Sequence, residues 1–121
     1  MEQDDIMVDK LTLCIDFDGV IHKYSKGWQD GSIYDEPTDG ALGFVKEANE
    51  HFKVVIYTTR AATPEGMLDV VAYLDIHGFP RMVVTDKKPI AFLTIDDRAI
   101  QFTGTFPPID TIINFKPWNV D

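Results

Sequence analysis

The chemistry-bearing residues of this chain come in short groups, and the first of them is a pair of carboxylates. Asp16 and Asp18 stand two apart at the end of the apolar run Leu11-Thr12-Leu13-Cys14-Ile15, and Gly19 follows at once. In a strand, alternate side chains point the same way, so both carboxylates can project from one strand end. Gly19 lets the chain turn tightly and brings backbone close to a ligand. Two like charges on one rim repel unless a cation or a proton sits between them. An acidic turn after a buried strand accounts for D-x-D-G taken alone. Three further groups supply what two carboxylates need. Thr58-Thr59-Arg60 closes the run Lys53-Val54-Val55-Ile56-Tyr57, Lys87 and Lys88 lie just before Pro89, and Asp96-Asp97 closes Ala91-Phe92-Leu93-Thr94-Ile95.

The elements that must position these groups are legible along the chain. Residues 10–17 read as a first strand. Residues 20–37 lack helical periodicity and carry Tyr24, Trp28 and Tyr34. Asp30-Gly31 signals a two-residue hairpin there, so residues 19–37 read as a flap beside the strand end. Thr38 or Asp39 can cap a helix with Leu42, Val45, Ala48 and Phe52 on one face. Residues 53–57 form a second strand. Thr63-Pro64-Glu65 marks a helix start, Met67, Val70, Val71 and Leu74 its buried stripe, and Gly78 with Pro80 its end. Residues 81–85 and 91–95 read as third and fourth strands. In the tail, residues 109–115 fit either a short strand or a packing helix.

Apolar runs rather than alternation describe a parallel sheet buried on both faces, which is a three-layer Rossmann-like α/β domain with helices on both sides. In such sheets ligands bind beyond the carboxyl ends of the strands, which is where all four groups fall. The first strand should lie in the middle, with the second on one side and the fourth on the other. With 121 residues, the chain reads as one domain over 1–121, with 1–9 a polar leader. The single cysteine, Cys14, excludes a disulfide framework and reads as a buried thiol. No signal-peptide core or membrane-length run is present, so the chain reads as cytoplasmic with no membrane partner. A net charge of −9 argues against a general binder of polyanions.

In order, Asp16-Phe17-Asp18-Gly19-Val20, Val55-Ile56-Tyr57-Thr58, a lysine and Ile95-Asp96-Asp97 resemble the four motifs of the haloacid dehalogenase-like hydrolase superfamily. The resemblance covers residues 11–98, and the flap with the 88–98 stretch is similar to small phosphatase-type members of bacteria and phages. It implies a capless phosphomonoesterase. Asp16 would be the nucleophile, forming an aspartyl-phosphate, and Asp18 the general acid and then base. Thr58 would bind a phosphoryl oxygen. Beside the motifs, Thr59 reads as a backbone donor, and Arg60 and Arg98 read either as contacts for a second anionic group or as surface arginines without that role. Lys88, directly before proline, matches the motif lysine better than Lys87. Asp16, the Asp18 carbonyl and Asp96, with Asp97 beside them, would hold Mg2+.

A charge count supports the metal. Asp16, Asp18, Asp96, Asp97 and one lysine leave −3, which repels a phosphate dianion, whereas Mg2+ and a proton on Asp18 bring the site to zero. On that count Asp18 should carry a raised pKa. His22 follows the first motif and reads either as a substrate contact or as a flap histidine without a role, and Trp28 is either a stacking platform or flap packing. A response-regulator receiver is the wrong match, because here the lysine precedes the second acidic pair. A catalytically silent binding protein on the same fold stays open. Neither gap that would hold a cap has room for one, so the site should be open to solvent. An open site suits a phosphate on a large molecule, such as a nucleic-acid end, a protein or a glycan. A homo-oligomer whose flaps supply the lid would instead suit a nucleotide or sugar phosphate.

Overall fold

The computed structural model describes residues 10–120, and the expected leader at 1–9 lies outside them. Four short parallel strands form one sheet in the order β3-β2-β1-β4. They are β1 (Thr12–Asp16), β2 (Lys53–Tyr57), β3 (Val83–Thr85) and β4 (Leu93–Ile95). Helix α1 (Ala41–His51) joins β1 to β2, and a 3-10 turn (Thr59–Ala62) with helix α2 (Pro64–Ile76) joins β2 to β3. A five-residue helix, α3 (Ile109–Ile113), lies in the tail. As expected, β1 is interior, and Ile15 pairs with Ile56 on one side and Ile95 on the other. The carboxyl ends of β1, β2 and β4 are therefore neighbours.

Register shows which face the helices cover. Leu13 lies beside Val54, and Ile15 beside Ile56 and Ile95, so these side chains share a face. All join one core with Val45 and Ala48 of α1 and Val70, Tyr73 and Leu74 of α2. Both long helices thus pack on the same face. Handedness requires it, because two right-handed crossovers stepping the same way put their helices on one side. The expected second helical layer is not seen among the described residues. Residues 86–92, between β3 and β4, are too few for a crossover helix. The opposite face carries Cys14, Val55 and Val83 in register; the first two are buried and Val83 is half exposed. Helix α3 packs against none of the other elements, and its residues are all exposed.

Local signals explain most boundaries. Thr63 caps α2 by accepting from Gly66 N at 3.1 Å, with Pro64 in the first turn. At its end, Gly78 N donates to Asp75 O and Phe79 N to Leu74 O, a Schellman closure that buries Phe79. Three details differ from expectation. Val71 is exposed and Tyr73 takes its place in the core, its hydroxyl reaching Asp35 O of the flap at 2.9 Å. Helix α1 has no side-chain cap at Thr38 or Asp39, because Gly40, in left-handed backbone, occupies the capping position. The flap forms no hairpin either. Ser32 N and Oγ both donate to Asp30 Oδ1, and Asp35 receives Ser25 N and Oγ, so side chains rather than a strand ladder shape it.

Candidate active site

Asp16 is the last residue of β1, and the chain turns immediately beyond it. Ile21 N and His22 N both donate to Phe17 O, and Gly19 N donates to His22 O, which folds residues 17–22 into one tight loop. Gly19 sits at φ 89°, and a Cβ there would overlap the Asp97 carboxylate. Only glycine lets the loop and Asp97 share this space. One strand over, Asp96 and Asp97 follow β4. A carboxylate oxygen from each of Asp16, Asp96 and Asp97 lies within 4.8 Å of the others. Burial, and then the charges of Asp96 and Asp97, push Asp16 up to about 7. Burial likewise raises Asp97. Three crowded oxygen donors with no sulfur or imidazole among them fit a hard divalent cation.

The lysine loop reaches the same end. Lys88 Nζ lies 3.8 Å from Asp96 Oδ2 and over the Tyr57 ring, 5.8 Å from its centroid. Lys87 is exposed, and its backbone N–H bonds Thr85 Oγ1. From β2, Thr58 is buried, its N–H held by Thr85 O. Thr58 Oγ1 accepts from Arg60 N at 3.1 Å, which leaves its hydroxyl proton free to donate. Thr59 is exposed in the 3-10 turn. Arg98 lies over the Phe115 ring of the tail, and Arg81 lines a groove between α2 and β3. The five cations Lys87, Lys88, Arg60, Arg81 and Arg98 therefore do not form one basic face.

Asp18 departs from expectation. Its Oδ1 is 2.8 Å from His22 Nδ1, and its Oδ2 is 2.8 Å from Arg60 Nε. His22 is fully buried, and its Nε2 accepts from Asp35 N at 3.1 Å, so Nδ1 is the nitrogen that donates to Asp18. Burial alone would raise the Asp18 pKa, but the bonds from His22 and Arg60 outweigh it and the net direction is down. The raised value expected from the charge count is thereby corrected. That count omitted Arg60. With its charge included the site carries −2, which one divalent cation neutralises without a proton on Asp18. The Asp18 side chain, turned to His22 and Arg60, is also not among the three clustered carboxylates.

On sequence, Arg60 and Arg98 are equal candidates for a second anionic group, and His22 is a flap residue beside the first motif. Arg60 is buried, and its second bond, from Nη1 to Gly31 O at 2.7 Å, ties the flap to the site. The tail also has a structural part that sequence reading missed. Trp118 Nε1 donates to Gly19 O at 2.7 Å, and Asn119 Nδ2 donates to Lys23 O and Tyr24 O. The i, i+4 spacing of Asp18 and His22 was the one local signal available for these contacts. Comparison with protein-family models, with curated proteins and with solved structures finds no match. Fold and site together define a class: a parallel α/β domain that gathers three carboxylates, a threonine and a lysine at the carboxyl ends of its strands. No described helix is long and apolar enough to cross a membrane.

Proposed function

We propose that this protein is a Mg2+-dependent phosphomonoester hydrolase acting through a phosphorylated Asp16, in the manner of the haloacid dehalogenase-like phosphatases its motifs resemble. The observation that carries the reading is the convergence of Asp16, Asp96 and Asp97 within 4.8 Å, with Lys88 on Asp96. An Asp16 oxygen attacks phosphorus and the bond to the leaving oxygen breaks; Asp18, which must first take up a proton in place of its bond from His22 or Arg60, supplies that oxygen's proton. Asp18 then takes a proton from water, which attacks phosphorus and frees Asp16. Thr58 donates its hydroxyl proton to a phosphoryl oxygen, and Lys88 offsets phosphate charge. Asp16, Asp96 and the Asp18 carbonyl would hold the ion, with Asp97 beside them; the ion supplies charge neutralisation for the incoming phosphate.

With no cap domain over the strand ends among the described residues, the substrate is a phosphate ester that enters from solvent, on a large molecule or under a lid from a second copy. One observation favours a silent binding protein instead: both Asp18 oxygens are engaged as acceptors, which leaves no proton for a leaving group. A panel of phosphomonoesters decides between them. Hydrolysis in Mg2+ that is lost in chelator and in Asp16→Asn supports the hydrolase. No turnover on any ester by a folded, metal-loaded preparation would favour the binder.

A further inference from the structure

A cavity of 260 Å³ opens between the flap and the start of α2, beside the carboxylate site. Its walls are Trp28 and Gly31 of the flap, Thr59 and Arg60 of the 3-10 turn, the cap residue Thr63, and Gly66 and Asp69 of α2. Arg60 is the partition between cavity and site, because the guanidinium that holds Asp18 and Gly31 O also lies 5.0 Å from the Trp28 ring. One side of the indole is thereby held by a fixed cation. The ring is nonetheless 63% exposed, a large aromatic left open beside a cavity. The first turn of α2 is pressed against the same wall, since a Cβ on Gly66 would overlap the Arg60 carbonyl.

The polar groups narrow what the cavity takes. Its one cation is already paired with Asp18, so a second phosphate would find no free positive charge. Asp69 is exposed on the cavity wall and forms no hydrogen bond or ion pair with any described residue, so its carboxylate is open to accept from a ligand's donors. Thr63 Oγ1 accepts from Gly66 N and keeps a proton to give. The volume is below the roughly 300–1,000 Å³ of pockets for drug-sized ligands, so the space fits one ring system. A flat, neutral ring with N–H donors on its edge satisfies all of these features.

We propose that this cavity is a base subsite: it takes the amino-bearing heteroaromatic base of a nucleotide, stacked on Trp28 with its amino group on Asp69. That the phosphate of the same nucleotide is the reacting group rests on the phosphatase reading above. A free mononucleotide and the terminal nucleotide of a strand present the same chemistry to this cavity.

The test uses nucleosides first, since they carry no phosphate. In the Trp118→Phe protein, Trp28 is the remaining tryptophan, and its fluorescence reports the cavity. Cytidine and adenosine at millimolar concentrations should quench it, and uridine should do so more weakly. Asp69→Asn should bring cytidine and uridine together without changing the fold by circular dichroism. Equal quenching by all three nucleosides in the presence of Asp69, or none by any, overturns the subsite. In turnover assays, Trp28→Ala should raise KM for cytidine and adenosine monophosphates about 5- to 100-fold relative to its effect on glycerol phosphate. An equal effect on both substrates would make Trp28 flap packing only. Comparing mononucleotides with end-phosphorylated oligonucleotides then assigns the source, by whichever shows the Trp28-dependent KM. Nucleoside quenching without any hydrolysis leaves the cavity standing and removes the phosphatase. Hydrolysis without quenching does the reverse.

Discussion

Asp16→Asn should make the metal-free protein more stable at alkaline pH even as it abolishes turnover. Burial and the neighbouring charges of Asp96 and Asp97 move the Asp16 pKa from 3.8 to about 7 in the folded protein. Between those values the folded state keeps a proton that the unfolded chain has lost. Raising the pH through this window therefore costs the wild type stability; the penalty is absent below about pH 4 and complete above pH 7. Taken whole, the displacement corresponds to about 4 kcal/mol at about 1.4 kcal/mol per pKa unit. Asp16 is only half-buried, so solvent screening brings the figure to about 2 kcal/mol. Asparagine has the same shape and no charge, so it carries no such penalty. Urea denaturation in chelator should give matching stabilities near pH 4 and an advantage of about 2 kcal/mol to the variant near pH 8. For a chain of this size that is roughly 8 °C in Tm. Saturating Mg2+ should stabilise the wild type and close the gap. An offset that does not change with pH, or a variant less stable near pH 8, would refute the crowding of carboxylates on which the site rests.

Three other outcomes follow from the geometry. Lys88→Ala should lower kcat by about a hundredfold or more, with stability changed by less than about 0.5 kcal/mol, because the pair with Asp96 is long and exposed. Lys87→Ala should leave kcat within about twofold, and the reverse ranking in steady-state assays would move the motif lysine by one position. Gly19→Ala should lose about 1–2 kcal/mol from its left-handed backbone and displace the Asp97 carboxylate. Calorimetric titration should then show weaker Mg2+ binding, and unchanged affinity would remove Asp97 from the metal site. Trp118→Phe should cost about 1 kcal/mol by leaving Gly19 O unpaired, and should speed hydrogen exchange in residues 19–24. Unaltered exchange there would mean that the tail does not hold the loop.

What the sequence made legible was whatever rests on neighbours along the chain. Thr63-Pro64 and Gly78 bound α2 through bonds spanning a few residues, and the strand ends place Asp16, Thr58, Lys88 and Asp96 on one edge. The Asp18 contacts are of another kind. Arg60 is 42 positions away from Asp18, and its approach depends on Gly66 being small enough to let α2 close on the 3-10 turn. The His22 tautomer depends on Asp35 N, which a side-chain-shaped flap delivers. Gly40 as a cap and Tyr73 in place of Val71 depend on backbone geometry and on the flap carbonyl that Tyr73 reaches. The one-sided helical layer was within reach of sequence reasoning, since seven residues between β3 and β4 leave no room for a crossover helix.

The strand order has a consequence for how the chain assembles during synthesis. β1 is central in the finished sheet, yet its two neighbours emerge far apart in time. β2 follows after one helix, whereas β4 comes 36 residues after Tyr57, a delay of about 2–7 s at ribosomal elongation rates of roughly 5–20 residues per second. Throughout that interval β1 is an edge strand, with the backbone groups of Thr12 and Cys14 that face β4 unpaired and the apolar side chains of Leu13 and Ile15 only partly covered. The vacant edge is a template for the same strand of another nascent chain. Only Asp16 and Asp18 can repel such a partner in this window, because Asp96 and Asp97 arrive with the strand that closes it.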